Sequence, residues 1–289
     1  MSEAEIIPKR DVKKKFLFFV EGEQTEFIYI NAIANLPNIN QLHDIIVLDR
    51  IKKKQSNPLK IVESVEGLVS LIQHSSHSEL LDDIHEYLEN FDGGISREDF
   101  KNKYEDLLAE FNIALTWNDE IDEDLFIDEI EILNRNLHNF KTFRKDFDEV
   151  CIIVDRDKQS FKEPQYDDVL EICAKNRFLL GVTNPCIEFY FYMHIVPISQ
   201  IIIESNEILE NKKHPESKRK FVEKCLSKEL NNLSPSKGYS KNKPKPEVIK
   251  YIIDNYETFK QNIVSLEQCN LGLKNKIGTS LHLIIKQLF

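Results

Sequence analysis

Four short apolar runs stand out along a chain in which most other segments alternate between apolar and polar positions with a helical period. The runs are Phe16 to Val20, Asp44 to Leu48, Cys151 to Val154, and Phe178 to Val182. Runs of this length, rich in aromatic and β-branched residues, are typical of strands buried on both faces of a parallel sheet. The pattern therefore predicts an α/β protein with a mostly parallel sheet flanked by helices.

Capping and proline signals place the helices between these strands. Thr25 is predicted to cap a helix over residues 26–35, and Pro58 opens a helix with apolar positions at a helical spacing through residue 72. A further helix is predicted over residues 164–177. Thr183-Asn184-Pro185 supplies cap donors ahead of Pro185 at a first helical position, so a helix through Met193 would carry Glu188 in its first turn.

The stretch from His74 to Lys145 has helical periodicity and no convincing strand. Ser96 and Asp99 resemble a capping box, although Asp replaces the usual Glu or Gln. One helix carries an apolar stripe made of Phe100, Tyr104, Leu107, Leu108 and Phe111. We interpret the stripe as core; one alternative is a contact within a homo-oligomer.

Charge is spread unevenly along the 289 residues, whose net charge is -11. Residues 79–149 hold 22 acids against 7 bases, whereas residues 211–250 hold 12 bases against 4 acids. The basic region suits contact with phosphates, and a solvated helix and loop is the alternative. Within it lies a loop whose lysines and single aromatic residue are typical of a surface that follows a nucleic-acid strand: Lys237, Tyr239, Lys241, Lys243 and Lys245.

Composition favours a cytoplasmic protein without membrane partners. The chain has no apolar stretch of membrane-spanning length, and residues 1–15 are charged rather than arranged as a signal peptide. Five widely spaced cysteines form no Cys-x-x-Cys pair, so we interpret them as reduced core residues rather than disulfides or zinc ligands: Cys151, Cys173, Cys186, Cys225 and Cys269. We expect His194 to be buried or hydrogen-bonded rather than a general base.

Acidic clusters follow two of the predicted strands. Glu21-Gly22-Glu23 comes after Val20, and Asp155-Arg156-Asp157 comes after Val154. The carboxyl ends of parallel strands meet at one sheet edge, and residues i and i+2 at a strand end point the same way. Converging carboxylates repel each other unless a hard cation holds them, so the sequence predicts a Mg²⁺ site. The alternative is that these acids only cap helices or face solvent; Asp49, after the second strand, is a lesser candidate.

Three segments resemble the RloB family, a prokaryotic family associated with restriction and abortive-infection loci. They are Phe16 to Glu26, Ile152 to Asp157, and Thr183 to Phe189. More broadly they resemble the Toprim fold of topoisomerases, primases and OLD-type nucleases. The resemblance implies that Glu21, Asp155 and Asp157 hold one metal ion, and that Glu26 and Glu188 are candidates for a second. Glu188 could instead only complement the dipole of its helix.

The resemblance also implies an activity and partners. It implies a nuclease of anti-phage defence that hydrolyses a phosphodiester of DNA or RNA with one or two Mg²⁺, or Mn²⁺, ions. A Tyr-x-Lys element of the family matches Tyr239 and Lys241, so Lys241 would stabilise charge on the phosphate. The resemblance implies an AAA-type ATPase partner, and the chain itself has no Walker A sequence with which to hydrolyse nucleotide. The apolar stripe at residues 100–111 could face that ATPase rather than the core. The alternatives are a non-catalytic regulatory or binding subunit and a primase-like nucleotidyl transferase.

These features together divide the chain into four parts. Residues 1–78 would form the first part of a Toprim-like core, and residues 79–145 an acidic helical insertion. Residues 146–200 would complete the core, and residues 201–289 would form a helical basic C-terminal region.

Overall fold

A computed structural model describes most of the chain. The described ranges are 12–22, 24–52, 57–89, 94–117, 123–213, 219–233, 238–241 and 243–289. Two residues singled out in the sequence, Glu23 and Lys237, lie outside these ranges.

A five-stranded sheet forms the centre of the molecule. Its strands are β1 (Lys14–Val20), β2 (His43–Leu48), β3 (Glu149–Asp155), β4 (Leu179–Asn184) and β5 (Gly278–Thr279). They lie in the order β2-β1-β3-β4-β5. The first four pair in parallel, and β5 pairs antiparallel with β4. The predicted α/β fold with a mostly parallel sheet is therefore confirmed.

Helices surround the sheet. In the first half they are α1 (Thr25–Ala34), α2 (Pro37–Leu42), α3 (Pro58–Leu71), α4 (His77–Glu89), α5 (Arg97–Glu110), α6 (Glu123–Lys141) and α7 (Glu163–Asn176). In the second half they are α8 (Ile187–Tyr192), α9 (Ile198–Ile203), α10 (Ser205–Glu210), α11 (Phe221–Leu233), α12 (Pro246–Asp254), α13 (Tyr256–Ile263), α14 (Asn270–Leu273) and α15 (Leu281–Ile285).

Each face of the sheet carries its own hydrophobic core. Leu17 and Phe19 of β1 pack with the apolar sides of α3 to α7. Phe16 and Phe18, which alternate with them, pack on the opposite face with α1, α8, α11, α12 and α15. Burial on both faces is the physical reason that the strands read as continuous apolar runs.

The apolar stripe of α5 belongs to the core. Phe100, Tyr104 and Leu108 are buried in the first cluster, and Leu107 and Phe111 are partly buried against it. This burial confirms the interpretation of the stripe as part of the core rather than as an exposed contact surface. Ser96 caps the helix by accepting from the backbone N–H of Asp99 at 3.1 Å, and its hydroxyl donates to the Asp99 carboxylate at 2.6 Å. The four-part division of the chain stays a prediction.

Three local predictions need correction. Thr25 does not cap α1; it is the first helical residue, and its hydroxyl donates to the Lys241 carbonyl at 2.8 Å. Pro185 does not open α8, because pairing with β5 extends β4 to Asn184, a cis Asn184–Pro185 peptide follows, and the helix begins at Ile187. The C-terminal region is not purely helical, since it contributes β5.

The cysteines and the helices bear on two further expectations. All five cysteines are free; Cys151, Cys173 and Cys186 are buried, whereas Cys225 is partly exposed and Cys269 is exposed, so only three are core residues. Across the part of the chain that the structure describes, no helix combines the length and the apolar character needed to cross a bilayer.

Candidate functional site

The two predicted acidic segments meet at the carboxyl edge of the sheet. Val20 and Ile153 are paired in neighbouring parallel strands, and the backbone N–H of Glu21 extends this ladder to the Ile153 carbonyl at 3.0 Å. The Asp155 backbone N–H donates to Oε2 of Glu21 at 2.8 Å. The register of β1 and β3 therefore places the two carboxyl groups side by side.

Asp155 also fixes the start of α8. Its Oδ1 accepts a hydrogen bond from the backbone N–H of Ile187, the first residue of that helix, at 2.8 Å. Glu188 follows directly and is buried. The predicted position of Glu188 in the first helical turn is confirmed, and the helix brings this carboxyl to the same edge as Asp155.

Glu26 enters the site from the first turn of α1. Its side chain is 3% exposed, and its Oε2 has no hydrogen-bond partner among the described residues. A Cβ atom at residue 22 would lie 1.9 Å from that oxygen, so a larger residue there would displace the carboxyl group from this position. A buried carboxyl oxygen without a partner is costly, so this oxygen is suited to ligate a cation.

The carboxyl groups of Glu21, Glu26 and Asp155 have raised pKa values because they share a poorly solvated crevice. Burial raises the pKa of Glu21 to about 8 and that of Glu26 to about 6, and the nearest acid adds to each rise. Burial, followed by the Glu26 charge, also raises the pKa of Asp155 well above its ordinary range. These three acids therefore ionise readily only when a positive charge compensates them.

Lys241 supplies a positive charge to this crevice. Its Nζ lies 3.5 Å from Oε1 of Glu188. Burial alone would lower the pKa of Lys241, but the charges of Glu188 and Asp155 outweigh it and raise the pKa. The side chain is about half exposed, so its ammonium group stands between the carboxylates and solvent.

The segment 238–241 is held over the site by side chains that are distant in sequence. The Tyr239 hydroxyl donates to Oε1 of Glu188 at 3.0 Å, and the Lys241 carbonyl accepts from Thr25. Arg219 donates to the Tyr239 carbonyl at 3.4 Å. Tyr239 is only 2% exposed, so its ring is not available for stacking on a base, and its predicted role as a nucleic-acid contact is replaced by positioning of Glu188.

Asp157 is oriented differently from the other predicted ligands. Its Oδ2 lies 2.5 Å from Nζ of Lys220. Burial alone would raise its pKa, but the bonds from Lys220 and the Gln159 backbone prevail and lower it. Because β3 ends at Asp155, the alternation that would align residues i and i+2 no longer holds, and Asp157 faces Lys220 rather than the four clustered carboxyl groups. Arg156 points away from the crevice, with its guanidinium 4.9 Å from the centre of the Tyr166 ring.

The remaining basic residues fall into two groups. Lys243 and Lys245 are exposed near segment 238–241. Three further cations lie near the site and had not been singled out from the sequence: Arg50, Arg219 and Lys220. Only the basic count over residues 211–250 hinted at the last two, and no sequence signal identified Arg50, whose charge acts on Glu21 and Glu26.

The donor chemistry of the crevice fits a hard divalent cation, since its acidic groups are all carboxyl oxygens. Within the described ranges, no three His, Cys, Asp or Glu side chains stand as a ready-made ligand group. Glu21, Asp155 and Glu188 instead accept bonds from donors of the protein, and Oε2 of Glu26 is left over. Ligation would therefore exchange these protein donors for the cation.

His194 lies outside the site. It is buried, stacks on Phe259 with ring centres 4.6 Å apart, and its Nδ1 lies 2.8 Å from the Tyr190 carbonyl. Burial lowers its pKa to about 3. The expectation of a buried, hydrogen-bonded histidine is confirmed.

Comparison with known proteins gives one match. A family model with the description RloB-like protein matches residues 16–288, which is nearly the whole chain. No curated protein and no solved structure matches.

Proposed function

The chain belongs to the RloB-like family, and from this membership and the carboxylate crevice we propose that it is a metal-dependent nuclease of prokaryotic anti-phage defence. The substrate would be a phosphodiester of DNA or RNA. An AAA-type ATPase would be its partner, as the family resemblance implies.

The observation that carries the proposal is the buried excess of carboxyl groups at the edge of a parallel sheet. Glu21 directly follows β1, Glu26 lies in α1, Asp155 ends β3 and Glu188 lies in α8, and their charges act on one another. Acids with raised pKa values in a crevice at the carboxyl edge of the sheet are the usual mark of a functional site. A purely structural cluster would have no need for the unpartnered oxygen of Glu26.

Each group has a role in phosphodiester hydrolysis. The four carboxylates would hold one or two Mg²⁺ or Mn²⁺ ions, and Asp157 could join them only by leaving Lys220. The bound metal supplies Lewis-acid activation of water and neutralises phosphate charge. Lys241 would donate to a non-bridging phosphate oxygen, where charge develops while the water oxygen bonds to phosphorus, the ester P–O bond breaks and the proton released by the water ends on the leaving oxygen. The products are one phosphate monoester end and one hydroxyl end.

A cleavage assay with a matched variant tests the proposal. Wild-type protein, Asp155→Asn and Asp106→Asn are incubated with single-stranded DNA, duplex DNA and total RNA in Mg²⁺, Mn²⁺ or EDTA. Asp106 is an exposed residue of α5 and serves as the control. We expect metal-dependent cleavage by wild type and Asp106→Asn and a loss of at least about 100-fold in Asp155→Asn, as for removal of a group that acts in the transition state. Equal cleavage by all three proteins contradicts the proposed site.

A second candidate function is a non-catalytic subunit whose acidic crevice is satisfied by the protein itself. The observation in its favour is that Lys241, Tyr239 and backbone N–H groups already occupy oxygens of Glu188, Asp155 and Glu21. Thermal unfolding over a titration of metal separates the two, since a ligand that binds only the folded state raises its stability. A metal-induced rise in Tm that Asp155→Asn abolishes favours the nuclease, whereas no rise favours the binding subunit.

The proposed ATPase partner adds a separate arm to the assay. If isolated wild type binds metal through Asp155 but cleaves nothing, the same cleavage assay is repeated with the proposed AAA-type ATPase partner and ATP. Cleavage that appears only then, and only with intact Asp155, supports a partner-activated nuclease.

A further inference from the structure

A cleft of about 420 Å³ lies beside the carboxylate crevice, at the ends of β1 and β2 and against α1. Its apolar walls come from Val20, Phe27, Ile28 and Leu48. The volume falls within the range of pockets that bind small organic groups. None of these side chains has a role in the proposed hydrolysis.

The cleft and the carboxylates are continuous. Gly22, which makes room for the Glu26 carboxyl group, also lines the cleft. Arg50 lines it too, and the Arg50 charge acts on both Glu21 and Glu26. A group seated in the cleft is therefore directly next to any phosphate held at the carboxylates.

Polar groups stand beside the apolar walls. Gln24 is exposed at the N-terminus of α1, and its side chain makes no capping hydrogen bond. Asp49 has a side chain 41% exposed and 3.3 Å from Arg135, which leaves carboxyl surface open to solvent. Apolar faces with an amide and a carboxylate beside them match a nucleobase, which has two apolar faces and an edge of donors and acceptors.

We propose that this cleft receives one unpaired nucleobase next to the phosphate under attack, so that the substrate is single-stranded or looped nucleic acid. The inference rests on the proposed nuclease function. A base paired within a duplex exposes only its edges, whereas an unstacked base can place its face against Phe27. Arg50 would then neutralise the phosphate of the same nucleotide.

Binding without turnover tests the cleft. Labelled 12-mers of single-stranded DNA, single-stranded RNA and duplex DNA, a length of about one such binding site, are titrated with wild type in Ca²⁺, which takes the same oxygen ligands as Mg²⁺, and a parallel set carries 2-aminopurine. We expect the affinities measured by anisotropy and by 2-aminopurine quenching to be about tenfold or more higher for single strands than for duplex. A difference of this size corresponds to the stacking of one base. The DNA and RNA arms report which sugar is preferred.

Variants of the cleft provide the matched comparison. Phe27→Ala should weaken single-strand binding about tenfold and remove the quenching, and Phe27→Tyr should restore both. Phe147→Ala, at a residue 45% exposed beyond the opposite ends of the strands, should change neither. Should Phe27→Ala fold poorly, Gln24→Ala at the exposed helix end tests the same cleft through weaker binding of single strands.

The results that overturn the proposal are specific. Equal affinity for single strands and duplex, no binding of any of the three probes, or a Phe27→Ala variant that binds and quenches like wild type each overturns it. Metal-dependent cleavage of duplex and single strand at equal rates would overturn the cleft assignment and leave the nuclease standing. If single strands bind through Phe27 but no cleavage depends on Asp155, even with the ATPase present, the nuclease proposal is overturned and the cleft assignment stands.

Discussion

At the scale of single residues, the site combines buried carboxyl groups, which destabilise the fold, with the positive charge of Lys241, which partly offsets them. Glu26 is buried with an unpartnered oxygen, and its pKa is raised because burial disfavours the charged form. Lys241 offsets part of the negative charge but is half exposed. The protein therefore holds Glu26 in place at a cost in stability, which is the pattern expected of a functional rather than a structural carboxylate.

Replacing Glu26 by Gln should stabilise the metal-free protein, and the effect should grow with pH. The pKa of Glu26 is about 6 in the folded protein and 4.5 without its surroundings, so the folded state binds the proton more tightly. The stability that protonated Glu26 contributes is therefore lost as pH rises from about 4.5 to 6, and it stays absent at higher pH. At pH 8 the neutral Gln removes a cost of about 2 kcal/mol, whereas at pH 5 it removes less.

Urea unfolding of wild type and Glu26→Gln in EDTA at pH 5 and pH 8 checks this expectation. The exposed acid variant Asp106→Asn is the control and should unfold like wild type at both pH values. Addition of Mg²⁺ at pH 8 should stabilise wild type more than Glu26→Gln. A variant that is less stable than wild type at pH 8 would show that the Glu26 carboxylate is compensated in the fold.

At the scale of elements, segment 238–241 closes the site by contacts that span the chain. Thr25 in α1 and Glu188 in α8 hold it from one side, and Arg219 holds it from another. Each of these hydrogen bonds joins the segment to a residue far away in sequence, so no periodicity or capping pattern in the sequence predicts them. The segment is the means by which Lys241 reaches acids that precede it by 53 to 220 positions in the sequence.

Thr25→Ala should loosen this segment without unfolding α1. The Thr25 hydroxyl donates to the Lys241 carbonyl and does not cap the helix, so its loss costs about 1 kcal/mol at the segment rather than helix content. Thr25→Ser keeps the hydroxyl and is the matched control. Hydrogen exchange should rise at residues 238–241 in Thr25→Ala alone, while circular dichroism stays unchanged; a loss of helix with unchanged exchange would restore the capping role.

The sequence predicts the elements of this fold better than it predicts their contacts. The first four strands are readable because both faces of the sheet are covered and each run is apolar throughout. Strand β5 has only two residues, Gly278 and Thr279, too few for any periodicity. Glu21 and Asp155 meet because each stands at the carboxyl end of one of two paired parallel strands. Asp157 lies beyond the end of β3, and there the bond to Lys220 decides its direction.

At the scale of the whole molecule, the sheet separates an acidic layer from a basic one. Helices α4 to α6, from the acidic stretch, pack on one face. The basic stretch over residues 211–250 contributes α11 and α12 to the other face, and segment 238–241 reaches from there to the carboxyl edge. A polyanion would therefore approach the crevice from the side of the second core, with α4 to α6 repelling it from the opposite face.

The second core also gives the molecule a predictable weakness in acid. His194 lies inside it with a pKa lowered to about 3 by burial, against 6.5 for the exposed group. The unfolded state therefore binds a proton more readily, so the stability that His194 contributes is complete above about pH 6.5 and is lost as pH falls towards 3. Between pH 6.5 and pH 5 this amounts to about 2 kcal/mol.

Substituting His194 by Gln should flatten the acid limb of the stability profile. Free energies of unfolding from urea titrations between pH 7 and pH 5 should fall less steeply in His194→Gln than in wild type, whatever the variant's absolute stability. Glu21 and Glu26 act in the opposite direction over this range and are common to both proteins, so the difference in slope isolates the histidine. His85→Gln, at an exposed residue of α4, should keep the wild-type slope. Equal slopes in all three proteins would mean that the core admits a charged His194, and that the layer beneath the proposed nuclease site is less closed than its packing indicates.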